Sequence, residues 1–187
     1  MTNTETLQAQ ILAEIEMALR AVPPVRLVAF CELLKAASTV YVAGKGRVGL
    51  QMRAFAMRLM HLGLPVHMVG ETTVPAIRAN DLLIIGSLYG RLPALLGYCT
   101  TAKAVSARLV VITAARTPLS DDAVLTVHLG APPNDQQGVV HPVASIQPMA
   151  SVFEQALGIW LDSVVLHFMR TAGISAQEMA ARHTNLE

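Results

Sequence analysis

The chain has 187 residues, 53% hydrophobic and 14% charged, with 14 basic and 13 acidic side chains and a formal net charge of +1. That is enough apolar mass for one domain with a real core and too little charge for a disordered chain. The near-neutral balance gives no electrostatic case for nucleic acid or an anionic membrane, and 4% aromatic content argues against a base-stacking platform.

Cys31 and Cys99 are far apart and outside any CxxC spacing. No disulfide framework is implied, and a reducing cytoplasm suits the chain. The first residues, Met1–Glu5, lack the basic-then-apolar pattern of a signal peptide. No membrane span is expected either. The apolar segment Met149–Met169 is interrupted by Glu154, Gln155, Asp162, Ser163 and His167, and reads as a helix buried in a core or at a subunit interface.

Residues 4–22 carry helical periodicity through Leu7, Ile11, Ile15 and Leu19, and Pro23-Pro24 stops that helix. Pro24 suits the first turn of a second helix through Leu27, Phe30, Leu33 and Leu34. The apolar run Val40–Ala43 predicts a strand, Gly44–Gly49 a turn, and Leu50–Met60 a helix closed by Leu62-Gly63. Pro65–Val69 predicts a second strand, and residues 70–80 a short irregular segment or brief helix. Leu82–Gly86 is a third strand, followed by a turn over Ser87–Pro93 and a helix over Ala94–Lys103. Leu109–Thr113 and Ala123–Val127 are a fourth and a fifth strand.

Several of these strands are apolar without alternation, as expected where helices cover both faces. Strand alternating with helix predicts a parallel sheet in a doubly wound α/β fold. Gly130–Ser145 is a long loop, of a length that is often functional. A long helix starts near Pro148 with Ser145 as its cap, and Ser175-Ala176-Gln177-Glu178 is a capping box for a last short helix. The domain layout is therefore 1–187 as one unit, with N-terminal helices over 1–37, an αβ core over 38–128 and C-terminal helices over 147–187.

The segment Gly44-Lys45-Gly46-Arg47-Val48-Gly49, between a strand and a helix, is a place where backbone N–H groups and a helix start face an anion. Its GxGxxG spacing also matches the dinucleotide fingerprint. Two helices precede the strand, however, and no acidic residue ends the second strand in the ribose-binding place, Glu71 being a loose candidate. A small anion such as a sugar phosphate fits better. A tight turn carrying two solvated cations is the plain alternative.

Three further motifs are more specific: Ala54-Phe55-Ala56-Met57-Arg58-Leu59-Met60-His61-Leu62-Gly63, Val69-Gly70-Glu71-Thr72, and Arg182-His183-Thr184-Asn185-Leu186-Glu187. In this order they closely resemble the 6-phospho-3-hexuloisomerase family of the sugar isomerase (SIS) fold, over nearly the whole chain. The resemblance implies a flavodoxin-like SIS domain, a three-layer αβα sandwich around a five-stranded parallel sheet. It also implies a homo-oligomer, tetramer or dimer, and interconversion of 3-hexulose 6-phosphate and fructose 6-phosphate through a cis-enediol. That reaction serves the ribulose monophosphate route and uses no metal or organic cofactor. The remaining histidines, His61, His67, His128, His141 and His167, lack ligand spacing, in keeping with that.

By the same resemblance Glu154 stands where SIS isomerases place their base, and His183 lies in a tail that reaches toward a neighbouring subunit's site. Their plain alternatives are an acid favoured near a helix start and an exposed terminal histidine. Gly46, Arg47, Ser87, Tyr89, Gly90 and Arg91 are the expected substrate-binding residues. The family's second anion loop normally reads Ser-Gly-Ser-Gly-Glu-Thr, and here it reads Ser87-Leu88-Tyr89-Gly90-Arg91-Leu92. Val48 also stands where a serine or threonine is usual. Each lost hydroxyl contact is worth roughly 0.5–1.5 kcal/mol and an arginine contact roughly 1.5–3 kcal/mol, so affinity can survive while the preferred ligand changes. The alternative function is a catalytically altered SIS protein that binds a sugar phosphate as a sensor.

Overall fold

A computed structural model describes residues 4–116, 119–130 and 145–186. Helices α1 (Thr4–Arg20) and α2 (Pro24–Lys35) lead into β1 (Val40–Ala43), α3 (Gly46–His61) and β2 (Val66–Met68). Then come β3 (Leu82–Gly86), α4 (Pro93–Ala104), β4 (Arg108–Thr113), β5 (Leu125–His128), α5 (Ser151–Ala172) and α6 (Ala176–Ala181). The five strands form one parallel sheet in the order β2-β1-β3-β4-β5. This is the predicted doubly wound α/β architecture.

Period-two alternation inside the apolar strands sorts the core into two layers. Val40, Val42, Leu82, Ile84, Val110 and Ile112 face one apolar cluster together with residues of α1, α2, α3 and α5. Their neighbours Tyr41, Ala43, Leu83, Ile85, Leu109 and Val111 face a smaller cluster under α4. The larger layer is anchored by Phe30, whose ring meets Trp160 edge-on at 5.2 Å and Phe55 at 6.1 Å. Among the described helices α5 alone is long and apolar enough to cross a membrane, but 56% of its apolar window is buried inside the fold. Its hydrophobicity is that of a core helix lying between α1 and α3.

Several boundaries differ from the sequence expectation. α3 begins at Gly46, so Arg47, Val48 and Gly49 belong to its first turn and not to the preceding loop. α5 begins at Ser151 after Ala150 at the N-cap, with no side-chain cap. Ser145 is not its cap: the Ser145 hydroxyl donates to Glu14 Oε2 at 2.7 Å and accepts from the Gln147 N–H at 2.9 Å. The predicted capping box is present, with Ser175 Oγ accepting from the Glu178 N–H at 3.1 Å and the Glu178 carboxylate accepting from the Ser175 N–H at 2.7 Å. Segment 70–80 forms no helix or strand. Most of the long loop, 131–144 with His141, lies outside the described residues.

Candidate functional site at the sheet switch point

β1 and β3 are neighbours, with Ala43 opposite Ile85, yet their connections leave in opposite directions. β1 continues through α3 to β2 on one side, and β3 through α4 to β4 on the other. The crevice beyond the carboxyl ends of such a strand pair is where open α/β sheets hold ligands. The Gly44–Arg47 and Ser87–Leu92 segments both emerge there.

The first segment is shaped by its glycines. A Cβ on Gly49 would lie 2.8 Å from the Gly44 carbonyl oxygen, and one on Gly44 would lie 3.0 Å from Gly49 Cα. Only glycines let α3 approach the strand end this closely. Gly46 sits at φ +57°, a left-handed conformation that glycine adopts at little cost. α3 has no side-chain cap, so its first turn directs backbone N–H groups into the crevice. α4 likewise has none, with Leu92 at the N-cap and Pro93 following.

The two cations of the turn diverge. Lys45 Nζ lies 5.9 Å from the centre of the Tyr98 ring on α4. Arg47 points to α5, where its Nε donates to Glu154 Oε1 at 2.8 Å and its Nη2 donates to the same oxygen. Glu154 is 2% exposed, whereas the Arg47 side chain is 62% exposed. A carboxylate this deep needs a countercharge, and Arg47 is its salt-bridge partner among the described residues. The pairing depends on α3 and α5 lying side by side. One turn further along both helices, Gln51 rests against Gly158, where a Cβ would lie 2.7 Å from Gln51 Oε1.

The second segment is braced from below by the end of β4. The Ser87 N–H donates to the Ile112 carbonyl at 2.9 Å, and the Leu88 carbonyl accepts from Thr113 Oγ1 at 3.2 Å and from the Ala114 N–H at 3.3 Å. Ser87 is buried, and its hydroxyl accepts from the Gly90 N–H at 3.2 Å, so it holds the loop's own curve. Gly90 turns the chain at φ +62°. Leu88 is buried in the same apolar cluster as Val48 and Met52 and points away from solvent. Tyr89 is exposed, and the Arg91 guanidinium lies over its ring at 5.1 Å.

Gly46, Arg47, Ser87, Tyr89, Gly90 and Arg91 are thus carried by the two segments that meet at the crevice, and Glu154 is tied to Arg47. His183 is not with them. It stacks on His61 at 5.2 Å, at the far end of α3, about 21 Å of helix rise from Arg47. There it lines a cavity of about 510 Å³ with Arg58, His61, Asp162 and Met179 among others. The described residues contain no group of three or more His, Cys, Asp or Glu able to hold a metal.

A family model for the SIS domain matches residues 32–158, which include β1 through Glu154 on α5. The chain belongs to the SIS domain family. It is 36% identical over 149 residues to the 3-hexulose-6-phosphate isomerase of Bacillus subtilis, covering 79% of this chain and 80% of that one. It is 39% identical to the enzyme of the same name from Mycobacterium gastri, covering 79% and 73%. A crystal structure from Methanococcus jannaschii, described as inferring a function of 3-hexulose-6-phosphate isomerase, superposes with a TM-score of 0.84. It is 29% identical, covering 98% of this chain and 99% of that one. The SIS protein is accordingly an isomerase of the hexuloisomerase type, as the motifs around α3 and in the tail imply. What those motifs do not reveal is the Arg47–Glu154 contact, 107 residues apart in sequence.

Proposed function

We propose that this SIS isomerase interconverts 3-hexulose 6-phosphate and fructose 6-phosphate. The observation that carries the reading is a buried carboxylate, Glu154, paired at a switch point flanked by two uncapped helix starts. The phosphate lies against the Ser87–Leu92 segment and the start of α4, with Arg91 and Tyr89 beside it and the α3 N–H groups opposite. The carbonyl end of the sugar faces Glu154.

Glu154 takes the proton from C2 while the C3 carbonyl oxygen gains one, which gives a C2–C3 enediol. The same carboxyl then returns a proton to C3 as the C2 hydroxyl loses its own and becomes the carbonyl. No metal or organic cofactor enters these steps. Transfer between the two oxygens falls to His183 of a neighbouring copy, since within one chain it sits at the other end of α3. A structural neighbour is in keeping with a phosphosugar ligand: a Vibrio vulnificus protein complexed with ManNAc-6P, at 15% identity and a TM-score of 0.74.

The test is a coupled assay of purified protein with 3-hexulose 6-phosphate. Turnover is expected, and Glu154→Gln is expected to lower kcat by about 10²–10⁴-fold with the fold intact. A protein that is thermally stabilised by sugar phosphates but never converts 3-hexulose 6-phosphate would be a sensor instead.

A further inference from the structure

We infer that Arg47 is a positioning residue for the base and not primarily a phosphate ligand. The inference rests on the reading of Glu154 as the base. Arg47 commits one edge of its guanidinium to the protein: Nε and Nη2 converge on a single oxygen, Oε1 of Glu154. The Glu154 side chain is 3% exposed and that of Arg47 is 62% exposed. The guanidinium therefore stands at the mouth of the site with its occupied edge inward.

This geometry distinguishes the two carboxylate oxygens. Both side-chain hydrogen bonds that Glu154 accepts among the described residues go to Oε1, and none goes to Oε2. A terminal carboxylate torsion is broad and roughly two-fold, so an unheld group would present either oxygen to the substrate. The fork holds Oε1 and leaves Oε2 to receive the carbon-bound proton. The N–H groups of Arg47 that Glu154 does not use remain on the exposed side, next to the position of the reacting sugar oxygens. One residue thus sets both the angle of the base and its distance from the carbonyl it works on. An ammonium lacks the planar fork and cannot do both.

Steady-state kinetics of Arg47→Ala, Arg47→Lys, Glu154→Gln and the Arg47→Ala/Glu154→Gln double variant test this on the intact chain. Arg47→Ala is expected to lower kcat by about 10²-fold, the scale of a 1 Å misplacement, with KM changed by less than about threefold. Arg47→Lys should fall between it and the native protein, and guanidinium ion added to Arg47→Ala should recover part of kcat. The double variant should be no slower than Glu154→Gln alone, since the two act as a unit.

An Arg47→Ala protein whose KM rises about tenfold or more with kcat unchanged makes Arg47 a substrate anchor and overturns the inference alone. So does a double variant slower by the product of the two single effects. Full turnover in Glu154→Gln removes the base assignment, and this inference with it. Arg47 is mostly exposed, and the lysine variant reads out the same split should the alanine variant not fold.

Discussion

Replacing Gly49 by alanine tests the close approach that aims α3 at the site. Gly49 lies within α3, where alanine ordinarily stabilises a helix by about 0.8–1 kcal/mol over glycine. Here a Cβ would lie 2.8 Å from the Gly44 carbonyl oxygen and 3.0 Å from its carbon, both backbone atoms, against ordinary contacts that begin at 3.4 Å. The turn must yield by roughly half an ångström, and overpacking of this kind costs about 1–3 kcal/mol. The net effect is a destabilisation of about 1 kcal/mol, or roughly 2–4 °C in Tm for a chain of this size.

The shift also carries Arg47, two residues upstream, away from Glu154, so kcat should drop by up to about 10²-fold. Thermal melts and turnover of Gly49→Ala, set beside Gly46→Ala, check this. At Gly46 a Cβ would meet nothing within 4 Å, so only the strain of φ +57° acts there, at about 1–2 kcal/mol. A Gly49→Ala protein that melts higher than the native one and turns over normally would refute the close-approach account.

The anchor between α1 and the entry to α5 is expected to be pH-dependent. Burial acts to raise the Glu14 carboxyl, but hydrogen bonds from the Ile146 N–H, the Gln147 amide and the Ser145 hydroxyl outweigh it and hold it below its ordinary value of 4.5. The stability it contributes is complete above 4.5 and is lost as pH falls through the lowered value. Glu14→Ala should therefore cost about 0.5–1.5 kcal/mol near neutrality, the carboxylate being partly screened by solvent, and its urea midpoint should converge with that of the native protein in acid. At the second loop, Arg91→Ala should weaken sugar-phosphate binding by about tenfold or more in calorimetry. Tyr89→Phe, which keeps the ring beneath Arg91, should change binding by less than about threefold.

The elements most legible in the sequence are those whose signal is local. Continuous apolar runs bounded by turn residues mark β1, β3 and β4. The 3.6-residue period marks α1 and α2, a long apolar segment broken by a few polar residues marks α5, and a four-residue capping box marks α6. Local preference puts the start of α3 four residues late because glycines at 46 and 49 are poor helix residues, and the Gly44–Gly49 contact overrides that preference. Ser145 resembles a cap for the same kind of reason. Its true partner, Glu14, is 131 residues away on α1, beyond the reach of any short pattern. In the site, residue types are readable but relations are not. Arg47 and Glu154 each stand out in the sequence, yet their contact exists only because α3 and α5 pack side by side.

The altered second loop is best understood together with the first. By the resemblance, Leu88 stands where a glycine is expected and Val48 where a hydroxyl is, which taken singly looks like erosion of an anion site. Both side chains belong to one buried apolar cluster with Met52. With glycine at 88 the cluster would lose a buried side chain; with a hydroxyl at 48 it would gain a polar group in need of a partner. The two replacements are consistent with each other and direct their bulk inward, beneath the crevice. What remains at the mouth is the backbone of two helix starts together with Tyr89 and Arg91. An anion held there is met by a stacked guanidinium in place of hydroxyl groups. Ligand preference then depends on how well a bidentate, planar cation suits the anion, and the proposed base on α5, Glu154, is left as it was.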